Sequence, residues 1–218
     1  MSTETMEAGK MKEIKKAQAG STSRVRMIAS IGMLSAIAAV LMLFEFPIPF
    51  IAPSFYKLDF SEVPVLIGAF AFGPIAGIVI ELVKILLNLV INGTLTFGVG
   101  ELANFLIGCA LVAPASIIYS VNKTRRGALI GLTVGTAVMI IAGVFLNAYL
   151  LLPFYAQFMG GMEALISVGT AMHASINSAL SFALLLVAPF NLVKGVLVSV
   201  LTLLLYKRIS RIIKGVNV

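Results

Sequence analysis

The sequence predicts an all-α integral membrane protein of six transmembrane helices, with N and C termini cytoplasmic and an outward-facing pocket. Three observations carry that expectation. Of 218 residues, 60% are hydrophobic and only 11% charged, with a mean hydropathy of +1.06; soluble domains carry about 25% charge. The apolar residues come in continuous runs, not in the period-two alternation of a membrane β-strand. The basic residues gather at the ends of those runs, which is the positive-inside pattern.

The elements follow in chain order. Residues 1–24 are polar and lysine-bearing, and are assigned to a cytoplasmic tail that turns helical near residues 11–18. A six-helix membrane domain then covers residues 25–214, and residues 215–218 form a short C-terminal tail. The first run, about 27–44, is too long for a signal-peptide core and lacks a small-residue cleavage site, so it is an uncleaved first span. Gly32/Ala36 and Ser35/Ala39 give it the spacing of small residues that lets another helix approach closely. Residues 46–53 carry Pro47, Pro49 and Pro53, which remove backbone donors and restrict their neighbours, so this segment is an external loop. Being apolar, it is a candidate lid.

The second run, 61–72, is short: twelve residues rise about 18 Å against a hydrocarbon core of about 30 Å. It must tilt into a neighbour, extend past Gly73, or sit below the surface. Lys57, Asp59 and Glu62 precede or open it and are read as the external mouth. Gly73-Pro74 makes a tight cytoplasmic turn into a third run at 75–91, followed by the loop 92–100. A fourth span, about 101–119, leads to the basic loop 122–126. The fifth, about 127–152, opens with Gly127, Gly131 and Gly135 at fourfold spacing, a close-packing seam, and is ended by Pro153. Residues 154–188 are taken as an external cap, because a full span there would put the C-terminal basic cluster outside. The last span runs about 189–206.

The net charge of +7 does not call for nucleic acid. Lys10, Lys12, Lys15, Lys16, Arg24 and Arg26, then Lys123, Arg125 and Arg126, then Lys207, Arg208, Arg211 and Lys214 each abut an apolar run. Membrane topology accounts for them. Enzyme chemistry is also poorly served. There is no G-x-x-x-x-G-K-[ST] loop, and His173 and Cys109 are each alone, which leaves no partner for a zinc site, a nucleophile pair or a disulfide. No catalytic residue, metal or cofactor is expected.

The intramembrane polar residues are more informative, because ionised groups in an apolar run cost about 2.5–3.5 kcal/mol each on insertion scales. Glu81, Lys84, Asn88 and Asn92 share one face of the third run; Glu101 and Asn104 share one on the fourth. Asn147 falls near the outer end of the fifth, Asn191 and Lys194 near that of the last, and Glu45 closes the first. Nearly all acids and amides thus fall in the outer halves. With Phe46, Phe50, Phe55, Tyr56, Phe97, Tyr149, Phe154 and Tyr155 nearby, the pattern suits a pocket of apolar walls and a few orienting polar groups. Blander roles remain open: Glu81–Lys84 as a structural pair, Glu101 as a helix-start acid, Asn191 and Lys194 as snorkelling or backbone-bonding groups, and His173 as a residue of the cap.

The run KLDFSEVPVLIGAFAFGPIAGIVIELVK at 57–84, with Asn88, Gly98-Val99-Gly100-Glu101 and Asn191-Leu192-Val193-Lys194, resembles the riboflavin-specific S component of energy-coupling-factor (ECF) vitamin transporters. The resemblance covers about residues 27–214. It implies riboflavin as ligand, and as partners a shared ECF membrane subunit and two ATPase subunits. It also implies delivery by toppling of the whole S component in the bacterial cell membrane. Asn191, Lys194 and Asn147 would be substrate contacts, with Glu45, Lys57, Tyr56 and Asn104 placed there by position. Gly32, Ser35, Ala36 and Ala39 would form the docking face. The competing readings are a self-sufficient proton-coupled transporter using Glu81, Glu101 and Lys84, an S component for another vitamin, and a membrane receptor or scaffold.

Overall fold

A computed structural model of the protein describes residues 24–94 and 96–214; apart from Arg24, the tails expected at 1–24 and 215–218 lie outside the described residues. Among the described residues, five helices are long and apolar enough to cross a membrane: α1 (Arg24–Leu43), α3 (Pro74–Asn92), α4 (Val99–Val121), α5 (Arg125–Ala156) and α7 (Ala179–Ile209). The last continues as helix to Lys214. Two are short, α2 (Glu62–Phe72) and α6 (Met162–Met172). Between α1 and α2 the proline-rich segment forms a small antiparallel ladder, β1 (Phe46–Pro47) with β2 (Lys57–Leu58), Phe46 opposite Leu58 and Pro47 opposite Lys57. Proline is tolerated because each strand is an edge.

The core is built around α2. Its sequence, EVPVLIGAFAF, is apolar on every side, and a helix with no polar stripe is stable only when enclosed. Every residue from Glu62 to Phe70 is buried, packed against Leu34 and Ala38 of α1, Ile80 of α3, Leu111 and Val112 of α4, and Val198 of α7. At about 16 Å long, it meets the shortfall in length by enclosure among its neighbours. The long helices bury one face and leave residues such as Ile37, Val79, Val134 and Val196 exposed, a surface suited to lipid.

Glycines set the close approaches. Gly73, at φ +101°, makes the reversal from α2 to α3, and Pro74 opens α3 where its missing N–H is not needed. The α4–α5 seam bears out the close-packing reading: a Cβ on Gly131 or Gly135 would press on the carbonyl oxygens of Ala115 and Leu111.

Two helix boundaries differ from expectation, for one reason. Pro153 does not end α5, and α7 does not wait for Pro189 to begin. In both cases a π turn lies just ahead of the proline, at Asn147–Leu151 and at Ala183–Val187. There the Leu152 N–H reaches the Asn147 carbonyl, and the Ala188 N–H reaches that of Ala183. The wider turn frees the carbonyls that a proline ring would strike, and so keeps each helix continuous. Of the segment 154–188 expected as an external cap, only residues 157–178 therefore lie between α5 and α7. It holds α6, followed by His173 at its C-terminal end and a serine capping box, Ser178 with Ser181, that starts α7.

Gly131→Val should separate α4 from α5, because the clash is with backbone and not with a side chain that can swing away. We expect a loss of about 1–3 kcal/mol or more, read as a lowered melting temperature in detergent; an unchanged melting temperature would contradict the seam.

Candidate functional site

The π turns of α5 and α7 face each other at one end of the bundle, and a cavity of about 200 Å³ lies beside them. Four segments supply its walls. The β1–β2 hairpin and the turn after it bring Phe55, Tyr56, Lys57 and Asp59, with Glu45 just before. The first turns of α4 bring Asn104 and Ile107; α5 brings Asn147, Leu151 and Tyr155; α7 brings Val187, Phe190, Asn191 and Lys194. All seven residues singled out from sequence as substrate contacts border this one space: Glu45, Tyr56, Lys57, Asn104, Asn147, Asn191 and Lys194. Phe190, Leu151, Val187 and Ile107 complete the walls and were not singled out, since nothing distinguishes them in sequence from lipid-facing neighbours.

The polar groups are tethered to differing degrees. Lys194 Nζ lies 2.9 Å from Asp59 Oδ2, and Asp59 Oδ1 accepts from the Ser61 N–H at 2.8 Å. Burial acts to raise the Asp59 carboxyl, but Lys194, Lys84 and the Ser61 hydrogen bond outweigh it and hold the group down at about 2. The Tyr56 hydroxyl donates to Asn147 Oδ1 at 2.6 Å, and Asn147 Nδ2 donates to the Gly143 carbonyl at 2.8 Å. Burial raises the Tyr56 phenol, which therefore stays neutral and a donor. Asn191 differs: its Nδ2 is buried, has no acceptor among the described residues, and sits over the bare Cα of Gly143. At the rim Lys57 and Glu45 form a half-exposed ion pair across the foot of the hairpin.

Next to the cavity but outside its lining is a second polar cluster. Lys84 Nζ lies 2.6 Å from Glu81 Oε1 on its own helix and 2.9 Å from Glu62 Oε1 on α2, with all three side chains buried. Gly108 of α4 makes the room, since a Cβ there would overlap the Glu81 carboxylate. Glu62 is thus no part of the mouth: enclosure of α2 carries it inside, where Lys84 answers its charge. Asp59 is likewise buried, although it does line the cavity. Asn88 is buried on the stripe of Glu81 and Lys84, whereas Asn92 has turned out to the exposed end of α3. Glu101 accepts from Thr96 Oγ1 at 2.9 Å and joins neither cluster.

Other sequence expectations separate. Of the aromatics, Phe55, Tyr56 and Tyr155 line the cavity, whereas Phe46, Phe50, Phe97 and Tyr149 are exposed. Of the four small residues on α1, Ser35 and Ala39 are buried against this chain's own core, and the Ser35 hydroxyl donates to Ile31 O at 2.8 Å. Only Gly32 and Ala36 are exposed. Small residues permit close packing in either setting, so spacing alone could not tell the two faces apart. Among the described residues no group of three His, Cys, Asp or Glu side chains is disposed to hold a metal ion.

The fold is that of a multi-pass membrane protein with a polar-lined cavity between helix ends. More particularly, the chain belongs to the ECF transporter substrate-specific component family, whose model matches residues 26–206. It is 37% identical over 191 residues to the riboflavin transporter RibU of Staphylococcus aureus (strain TCH60), covering 88% of this chain and 94% of that one. It is 34% identical over 189 residues to the riboflavin transporter FmnP of Bacillus subtilis (strain 168), covering 86% and 93%. A solved structure described as "Structure and mechanism of the S component of a bacterial ECF transporter" superposes with a TM-score of 0.68 at 37% identity, covering 88% of this chain and 99% of that one. The family is one of transporters and not of enzymes.

Two outcomes follow from the charge clusters. Lys84→Met leaves two buried carboxylates without a cation and should cost about 3–5 kcal/mol in detergent unfolding. Adding Glu62→Gln and Glu81→Gln should recover most of the loss; a Lys84→Met protein as stable as wild type would show that the cluster is not a charge pair at all. Asp59, held below its ordinary value of 3.8, contributes fully above about pH 4, and that contribution disappears as pH falls through about 2. The amount is about 2 kcal/mol. Asp59→Asn should flatten that part of the stability–pH curve, and an identical acid limb in wild type and variant would refute the pairing.

Proposed function

We propose that this chain captures riboflavin in the cavity beside the π turns and passes it to the cytoplasm as the substrate-binding subunit of an ECF transporter. The observation that carries the reading is the composition of that one cavity. Amides from α4, α5 and α7 and the Lys194–Asp59 pair stand among apolar and aromatic walls from Phe55, Tyr155, Phe190 and Ile107. Riboflavin has matching parts: a pyrimidine edge and ribityl hydroxyls that need donors and acceptors, and a flat tricycle that needs apolar faces. The Asn191 amide, buried without an acceptor among the described residues, is the group most in need of a ligand. The names of the Staphylococcus and Bacillus relatives support the same substrate.

At about 200 Å³ the cavity is smaller than the roughly 300–1,000 Å³ of most small-molecule sites. The hairpin from Glu45 to Lys57 is the segment that would move to admit a tricycle. It carries Tyr56 over the cavity and is tied down by the Lys57–Glu45 pair and the Tyr56–Asn147 hydrogen bond.

In the topology we propose, α2 serves as a sixth crossing, both termini are cytoplasmic, the cavity opens outward, and residues 157–178 cap it. The chain carries no nucleotide-binding loop, so uptake would draw on ATP hydrolysed by two partner subunits. A shared membrane subunit would dock on α1, where Gly32 and Ala36 remain exposed. Release inside would follow from reorientation of the whole bundle.

Purified in mild detergent, the protein should show flavin absorbance in the visible, or gain it when riboflavin is added. A colourless protein that takes up no riboflavin would refute the substrate. Asn191→Leu should weaken binding about tenfold while leaving thermal stability intact, and Lys194→Ala should weaken it without blocking insertion. In vesicles, uptake should require the ATPase partners; accumulation driven by a proton gradient alone would overturn the assignment.

A further inference from the structure

One buried charge is left over in the middle of the bundle. Two carboxylates, Glu62 on α2 and Glu81 on α3, share the single ammonium of Lys84, and all three side chains are shut off from solvent. The groups that face them from other elements do not make up the difference. Asp59, just ahead of α2, faces Lys84 but is itself paired with Lys194 of α7. The nearest titratable group of α4 is the Cys109 thiol, which carries no positive charge in any state. In this buried network the three carboxylates Asp59, Glu62 and Glu81 thus stand against two ammonium groups, Lys84 and Lys194. A carboxylate sealed from water without a counter-charge is among the costliest groups a fold can hold, and protonation is the ordinary relief.

The local geometry provides for a proton. The two carboxyl groups converge beneath α4, where a Cβ on Gly108 would overlap Glu81 Oε1 and stand 3.2 Å from Glu62 Oε1. They lie at hydrogen-bonding range of each other, yet two ionised carboxylates have only acceptors between them. Glu62 Oε2 and Glu81 Oε2 are buried, and no donor among the described residues reaches either. One proton supplies the donor that this arrangement lacks and removes the surplus charge in the same step. A metal ion fits less well, since among the described residues no group of three His, Cys, Asp or Glu side chains is disposed to hold one. We infer that Glu62 and Glu81 form a proton-binding site, holding one proton between them at neutral pH beside the Lys84 ammonium. With that proton bound the network is neutral: Lys194 matches Asp59, and Lys84 matches the carboxyl pair. The site lies outside the lining of the cavity and is independent of the riboflavin reading.

The test is infrared spectroscopy of the full chain, isotope-labelled at the glutamate carboxyl carbon, in a maltoside detergent that has no carbonyl of its own. At neutral pH the wild type should show the C=O stretch of one protonated glutamic acid. Glu81→Gln and Glu62→Gln should each abolish it, because either leaves a single carboxylate matched to Lys84. Unfolding exposes the pair to water, where glutamate is ionised at neutral pH, so the native state binds one proton more than the unfolded. The unfolding constant of the wild type should therefore rise about tenfold per pH unit across neutrality, and Glu81→Gln should lose that slope. No protonated-carboxyl band in the wild type, a band that survives in either variant, or equal pH slopes in wild type and Glu81→Gln would overturn the inference. Stabilisation by sodium in place of protons would do the same. The wild-type spectrum decides the matter even if neither variant folds.

Discussion

A single ammonium group, that of Lys84, sets the geometry on which the rest depends. It stands between Glu62 of α2 and Glu81 of α3 with no access to solvent. Taking such ions out of water costs several kcal/mol each, so the cluster persists only because its partners are held in place by packing. The packing is visible: α2 is enclosed on all sides, and Gly108 of α4 withdraws to admit the Glu81 carboxylate. The consequence reaches the cavity through a short lever. Asp59 precedes Glu62 by three residues, so fixing the first turn of α2 also fixes Asp59, and through it the ammonium of Lys194 across the chain. The structural cluster thereby positions a cavity residue that it does not touch.

The second constraint is the pair of π turns. In α5 and α7 alike, a π turn of five residues is followed two positions after its end by a proline, Pro153 and Pro189. Either proline alone would break its helix; the wider turn absorbs it. The two turns face each other, and the polar residues they carry, Asn147 at the start of one and Asn191 just beyond the other, meet the same cavity. Asn147 is held by Tyr56 and Gly143, while Asn191 lies over Gly143 with its Nδ2 unpaired among the described residues. The same irregularity that keeps the helices whole borders the cavity at one end of the bundle.

These features explain what could be read in the sequence. An amide or a charge in an apolar run avoids lipid only by facing protein or a cavity, so Asn147, Asn191 and Lys194 were legible as a set without coordinates. The glycine spacing of α5 was legible for a similar reason, since only close backbone contact calls for it. Partnership was not legible. Asp59 and Lys194 lie 135 positions apart, Tyr56 and Asn147 lie 91 apart, and no local pattern connects either pair. Glu62 misled because a charge at a helix start usually faces water; only the enclosure of α2 reverses that. The prolines misled because the π turn that rescues them is a backbone event with no residue signature of its own. Ser35 and Ala39 share their spacing with Gly32 and Ala36, and only the fold decides which pair turns inward.

The distribution of charge bears on the reorientation proposed for this bundle. The ions of the central cluster and the Asp59–Lys194 pair are satisfied inside the protein, so a rigid rotation changes their surroundings little. The half-exposed Lys57–Glu45 pair is neutral as a unit and sits at the cavity end. The basic end differs: Lys123, Arg125 and Arg126 are exposed where α4 leads into α5. Moving each of them from the headgroup level into hydrocarbon costs about 2.5–3.5 kcal/mol on insertion scales. In the reorientation we propose, the barrier would therefore lie at the end remote from the cavity, in the hold of the headgroups on those side chains. In that proposal, a partner docked on α1 would lower the barrier only if it also shielded the basic end from lipid, and the cavity would stay undisturbed until the bundle had turned.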